Sequence, residues 1–189
     1  HMYCQVRPGG DIAALMGVCK RVLELDREAR EKGAADVLDR AFLDAHTHGF
    51  DAFLAKVEAT GWDEIERASG LSRAEMEEAG DIYAKAGNVM GIYGMGLTQH
   101  VHGSQSIGML VNLLLLRGNI GRKGAGCSPI RGHSNVQGQR TVGITEKTKL
   151  APVEKYRELF DLETPEEDGH NTVSFLEGVL DGSNKGYIG

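Results

Sequence analysis

The sequence is poor in cysteine. Cys4, Cys19 and Cys127 form an odd, widely spaced set with no CxxC pair. That argues against a structural zinc site or an iron–sulfur cluster built by this chain alone, and against a disulfide framework. A basic surplus is also lacking: 21 Lys and Arg face 27 Asp and Glu, a formal net charge of −6. Nothing is left over to neutralise phosphates along a duplex, so a general nucleic-acid binder is excluded. Long apolar runs are missing as well. Met109 to Leu116 is apolar but for Asn112, far too short to span a bilayer, and reads as a core helix. No signal peptide, internal repeat or low-complexity tract is visible. Free thiols without a leader fit the cytoplasm.

What is present suits a globular protein. The 189 residues can bury a real core, as one domain or a domain with a small subdomain, and 41% apolar content is ordinary for that class. Residues 1–2, His-Met, read as an expression-tag remnant. Lys185 to Gly189 resembles a strand cut short before a glycine turn. Both ends therefore suggest a piece excised from a longer chain.

Three textures follow each other. Residues 3–86 are mainly helical. Asp11 can cap a helix carrying Ile12, Leu15, Cys19 and Val22 at helical spacing, ending near Arg30 and stopped by Gly33. Val37 to His46 predicts a second helix. Asp51 caps a third with Phe53, Leu54 and Val57, and Trp62 to Ala68 a short fourth. Ser72-Arg73-Ala74-Glu75 is a capping box, with Leu71 and Met76 placed as a staple, and opens a helix to about Ala86. Residues 87–146 are glycine-rich. Asn88 to Tyr93 predicts a strand, and Ser104 caps an apolar helix to Leu116 that Gly118 ends. Residues 147–189 return to ordinary texture, with helices over Pro152 to Phe160 and Thr172 to Leu180 around an acidic loop, Thr164 to Gly169. The order helix, strand, glycine turn, helix predicts an α/β fold: a helix-rich layered domain with a short parallel sheet.

Three stretches could carry chemistry. Gly94-Met95-Gly96-Leu97-Thr98-Gln99-His100 lies between a strand and a helix, where glycine lets backbone N–H groups approach an anion. It lacks the third glycine of the common dinucleotide fingerprint, and taken alone it is equally a tight turn. Arg117 to Gly126 follows the apolar helix. Gly118 is explained as a helix stop, the later glycines less well. Pro129 to Arg140 is dense in His133, Asn135, Gln137 and Gln139, with Gly138 among them. Amides present donors and acceptors side by side, which suits a pterin or a guanine. Arg131 and Arg140 suit phosphate or a small carboxylate. The bland alternative is a polar surface loop. His100 and His102 have no carboxylate or cysteine nearby to complete a metal site, so polar contact is favoured over coordination. Nothing marks Cys127 as a nucleophile.

These residues resemble the molybdopterin oxidoreductases, the formate dehydrogenase alpha subunits above all. The resemblance rests on Gly94 to His100, Asn112 to Gly121 and Pro129 to Gly138, with Val6-Arg7-Pro8-Gly9-Gly10-Asp11 similar to the family's Arg-Pro-Gly-Thr-Asp segment. It spans about Val6 to Ile144. It implies molybdopterin guanine dinucleotide carrying Mo or W, and two-electron redox at that metal. Gly94, Gly96, Gln99, His133, Asn135, Gln137 and Gly138 would lie against the cofactor, and Arg131 would act as a catalytic residue that holds substrate. The family's Asn-Asn pair and preceding glutamine are Ser134-Asn135 and His133 here, so the expected substrate is formate or another small oxidisable or reducible compound. The metal-ligating cysteine or selenocysteine and the iron–sulfur motif lie upstream of the matched region in that family. The parent would supply them together with an electron-transfer partner, and this fragment would be inactive alone. Two other readings stand beside it: a non-redox phosphate- or nucleotide-binding module, and a helical interaction domain with disordered glycine-rich loops.

Overall fold

A computed structural model describes residues 2–187. The chain divides into two compact units, one running through Gly132 and one from His133.

In the first unit, helix α1 (Asp11–Glu31) packs against α4 (Trp62–Ser69), α5 (Arg73–Lys85) and α7 (Gly103–Leu115), and touches α3 (Phe50–Ala59). The apolar stripe read from the sequence is what α1 buries: Cys19 and Val22 are inaccessible, among Val57, Ile65, Met76 and Leu114. Glycines bring α1 and α5 close. A Cβ at Gly17 would overlap Met76 Sδ, and one at Gly80 would sit 2.7 Å from Arg21 Cβ. The capping box at Ser72 is complete: its hydroxyl accepts from Glu75 N, and the Glu75 carboxylate accepts from Ser72 N at 2.8 Å. Leu71 and Met76 beside it are buried.

Several expected helix starts shift for identifiable reasons. Asp11 and Asp51 lie inside the first turns of α1 and α3, where a carboxylate favours the helix dipole, while Gly10 and Gly49 occupy the cap positions. The second helix, α2 (Arg40–His46), begins three residues later than Val37. The buried Asp26 carboxylate takes the N–H groups of Val37 and Leu38, each at 2.9 Å, and pairs with Arg40. Asp39 then caps the helix by accepting from Phe42 N. Ser104 does not cap α7, which starts one residue earlier at Gly103. A Cβ on Gly103 would collide with the carbonyl oxygen of Thr98.

Strand β1 (Met90–Tyr93) pairs in parallel with β2 (Gly126–Pro129), in the register Met90 with Gly126 to Tyr93 with Pro129. Gly91 faces α7, where a Cβ would press on Leu110 and Leu114. A four-residue helical turn, α6 (Met95–Thr98), links β1 towards α7. The fold is the helix-rich α/β domain with a short parallel sheet that the sequence predicts.

The second unit holds α8 (Val136–Thr141), a 3-10 turn at Thr148–Leu150, α9 (Val153–Phe160) and α10 (Thr172–Asp181). The acidic loop is organised rather than only solvated. Asp168 accepts from Thr148 N and Lys147 Nζ, and the hydrogen bonds to it hold its carboxyl below the usual range. Asn171 caps α10, whose predicted apolar face, Val173, Leu176 and Leu180, is exposed. Lys185 to Tyr187 form no strand, and the rest of the expected C-terminal strand, residues 188–189, lies outside the described residues. Among the described residues no helix is long and apolar enough to cross a membrane.

Candidate functional site

The parallel register fixes where the chain leaves the sheet. Tyr93 and Pro129 end their strands side by side, and Ile130 N donates to Tyr93 O at 2.7 Å, one residue further on. Two segments therefore depart from the same edge. From β1 comes Gly94 and the α6 turn, closed by Leu97 N to Gly94 O and by Gln99 N to Met95 O. From β2 comes Ile130-Arg131-Gly132. The two stay close: a Cβ on Gly94 would be 3.8 Å from Ile130 O, and one on Gly132 would be 3.6 Å from Met95 Sδ. The carboxyl edge of a parallel sheet is where α/β folds place ligands.

Four of the sequence-derived residues lie on these two segments of the first unit: Gly94, Gly96 and Gln99 after β1, and Arg131 after β2. Gly96, Gln99 and Arg131 are exposed. Arg131 makes no ion pair or hydrogen bond among the described residues, which leaves its planar fork of donors available to an anion. His100 and His102 are exposed and use their carbonyls to anchor α7, accepting from Gly103 N and Ser106 N. Among the described residues no three His, Cys, Asp or Glu side chains group to hold a metal.

The other four lie in the second unit. His133 and Gln137 are exposed. Asn135 adopts a left-handed backbone (φ 56°) and caps α8, its Oδ1 accepting from Gly138 N at 3.2 Å. Gly138 is where a Cβ would collide with that same Asn135 side chain. Both residues therefore have local structural work, and only the Asn135 Nδ2 group stays uncommitted.

The stretch from Arg117 to Gly126 is an internal brace. Arg117 caps the end of α5, donating to Tyr83 O and Ala86 O, and also reaches Val37 O. Asn119 is fully buried. Its Oδ1 accepts from Val89 N and Arg122, and its Nδ2 donates to the Tyr83 hydroxyl, which donates to Leu113 O. Burial pushes the Tyr83 phenol up to about 12, against the opposing pull of Asn119 and Arg117. Asn119 lies in a stretch that the sequence offers as able to carry chemistry, Arg117 to Gly126. In the structure it is the hub that ties α5, α7 and the entry to β1. No local signal separates those roles, because burial depends on partners 30 or more residues away. The three cysteines are free. Cys19 is buried in the α1 core, which pushes its thiol up to about 12, and partial burial raises Cys127.

No protein-family model matches the chain. It is similar to protein YdeP of Escherichia coli, 44% identical over 186 residues, covering 98% of this chain and 24% of that protein. It is also similar to "Uncharacterized oxidoreductase Rv2900c" of Mycobacterium tuberculosis, 36% identical over 187 residues, 99% of this chain and 24% of the relative. A third relative is "Putative formate dehydrogenase SAR2393" of Staphylococcus aureus, 31% identical over 188 residues, with 95% of this chain and 18% of the relative covered. The chain spans about a quarter of the length of the first two relatives. It is thus similar, along nearly its whole length, to one segment of longer proteins, among them proteins named as oxidoreductases.

Proposed function

We propose that this chain is part of a molybdopterin guanine dinucleotide-dependent oxidoreductase, formate dehydrogenase-like, and forms one edge of its cofactor pocket. One observation carries the reading: the glycine turn after β1 and the Arg131 segment after β2 leave the sheet together at its carboxyl edge.

The donor set there fits the group. A pterin dinucleotide needs close backbone approach, amides for its heterocycle and cations for its phosphates. A Cβ on Gly96 would meet nothing within 4 Å, and its φ is not positive. Gly94 is extended, with φ −136°. Neither packing nor backbone conformation among the described residues asks for glycine at these two positions. The missing side chains leave the main chain there open to close approach by a ligand.

The bound cofactor would supply two-electron chemistry at Mo or W. The chain's own residues would position it and the substrate. Gly94 and Gly96 would let the cofactor lie against the main chain, and Gln99 would hydrogen-bond it. The second unit, taken by itself, offers His133, Gln137, Gly138 and the free Asn135 amide as further candidate cofactor-binding groups. Arg131 would orient a small anionic substrate such as formate and offset charge that develops on it. Electrons would leave through an iron–sulfur cluster held elsewhere in the parent, to an electron-transfer partner. The names of the relatives support a redox role.

Metal and pterin analysis of the complete parent protein tests this. We expect Mo or W to copurify with pterin. Gly96→Val should lower both contents together. Arg131→Lys should keep them and lower turnover by about 100-fold, since a point charge replaces a fork. A fully active parent with neither metal nor pterin would refute the reading. A parent that retains a guanine nucleotide without metal would favour the phosphate-binding module.

A further inference from the structure

Strand β1 has one of its two edges in use. The carbonyls of Val89 and Tyr93 accept from Gly126 N and Ile130 N across the pair. In a parallel ladder, alternate residues turn their main-chain groups to the same neighbour. The N–H and C=O of Met90 and Ile92 therefore face the opposite edge, and no described residue hydrogen-bonds to them. The free edge of β2 differs. The same alternation puts Cys127 and Pro129 on it, and Pro129 has no N–H to offer. Proline on an outer edge stops a ladder. By this asymmetry β2 ends the sheet and β1 does not.

The side chains agree. Met90 and Ile92 alternate with Gly91, the residue that faces α7, and are 49% and 59% exposed. Ile92 and Tyr93 also wall a cavity of about 280 Å³ whose other walls include Val6, Leu15, Leu71 and Leu110. Parallel strands are normally covered on both faces, and a sheet of two strands is marginal alone.

We propose that the outer edge of β1 takes a third strand, an extended segment with apolar residues at alternate positions, one of which fills this cavity. Main-chain hydrogen bonds to Met90 and Ile92 would hold the segment and the cavity would select its side chain. The occupant is a segment of the parent polypeptide outside these 189 residues. YdeP, of which this chain matches 24%, carries three quarters of its sequence beyond the match, and a strand on the same polypeptide acts at high effective concentration.

Amide hydrogen exchange tests the proposal, comparing the 189-residue chain with the complete parent protein. Met90 and Ile92 amides should exchange at nearly unprotected rates in the former and at least about 100-fold more slowly in the latter. Gly91, already turned to β2, is the internal reference. Equal exchange at Met90 and Ile92 in both proteins would overturn the proposal. So would protection that appears in the 189-residue chain as its concentration rises, because the edge would then belong to a second copy. A second measurement uses Ile92→Lys. It should leave the melting temperature of the 189-residue chain unchanged and lower that of the parent by several degrees; an unmoved parent contradicts the proposal. Both readouts are independent of metal and pterin content, so they fail separately from the functional reading.

Discussion

Replacing Asn119 with alanine should cost the first unit about 2–4 kcal/mol. The side chain is fully buried and makes three hydrogen bonds. One of them, from Arg122, contributes little: that guanidinium is exposed and keeps its bond to Gly87 O at 2.9 Å. The other two matter. Val89 N–H, at the entry to β1, loses its acceptor, and the Tyr83 hydroxyl loses the donor that it accepts from. A neutral hydrogen bond nets ~1 kcal/mol, and a buried group left without a partner costs ~1–3 kcal/mol. Urea denaturation of the wild type, N119A, Y83F and the double variant measures the effect. Asn119 and Tyr83 share a bond, so the cycle should show a coupling of at least ~0.5 kcal/mol. A loss below ~1 kcal/mol for N119A, or strict additivity with Y83F, would refute the claim that this amide is the hub holding β1 in place.

Ser72→Ala should cost ~1 kcal/mol in chemical denaturation, since it removes the acceptor for Glu75 N from a complete capping box. Gly118→Ala should lower the thermal midpoint more than a surface substitution does. Its φ is +58°, and the new Cβ would stand 2.7 Å from Asp39 Oδ2, the carboxylate that caps α2. Alkaline pH should destabilise the chain. Cys19 rises from 9.0 to about 12 and Tyr83 from 10.0 to about 12, both chiefly through burial. Both are neutral when protonated, so the unfolded chain releases its proton first. The stability they contribute is intact below about pH 9 and is lost as pH climbs towards 12, at ~1.4 kcal/mol per pH unit for each group within its window. Denaturation midpoints from pH 8 to 11 would show it, and Cys19→Ala should flatten the limb between pH 9 and 10.

The helices before residue 87 were legible because their signals are local. Cys19 and Val22 recur at helical spacing, and the Ser72 box closes within four residues. Strand β2 was not legible. Gly126-Cys127-Ser128-Pro129 has no apolar alternation, and pairing with β1 alone makes it a strand. Its existence decides the site, since it delivers Arg131 to the Gly94 turn. The start of α2 escaped for a similar reason: Asp26, more than ten residues earlier, claims the N–H groups of Val37 and Leu38. Periodicity also says which face of a helix is apolar and not what covers it. In α10 the stripe Val173, Leu176, Leu180 is regular, and it is exposed.

Glycine density drew attention to residues 94–143, and the structure divides those glycines by cause. Gly118 needs its left-handed backbone to end α7, and Gly138 makes room for the Asn135 cap. Such positions would be glycine with or without a ligand. Gly94, Gly96, Gly108 and Gly132 are different, because neither a positive φ nor a crowded Cβ accounts for them. Gly108 lies within α7, and the other three stand at the one edge where the parallel register brings in Arg131. Subtracting the glycines that the backbone requires thus contracts the ligand argument from a fifty-residue texture to a few residues at the carboxyl ends of two strands. A bulky side chain separates the two causes. Valine at 118 should unfold the first unit by forcing a β-branched residue into a left-handed turn. Valine at 96 should leave the fold intact and act only on what binds there.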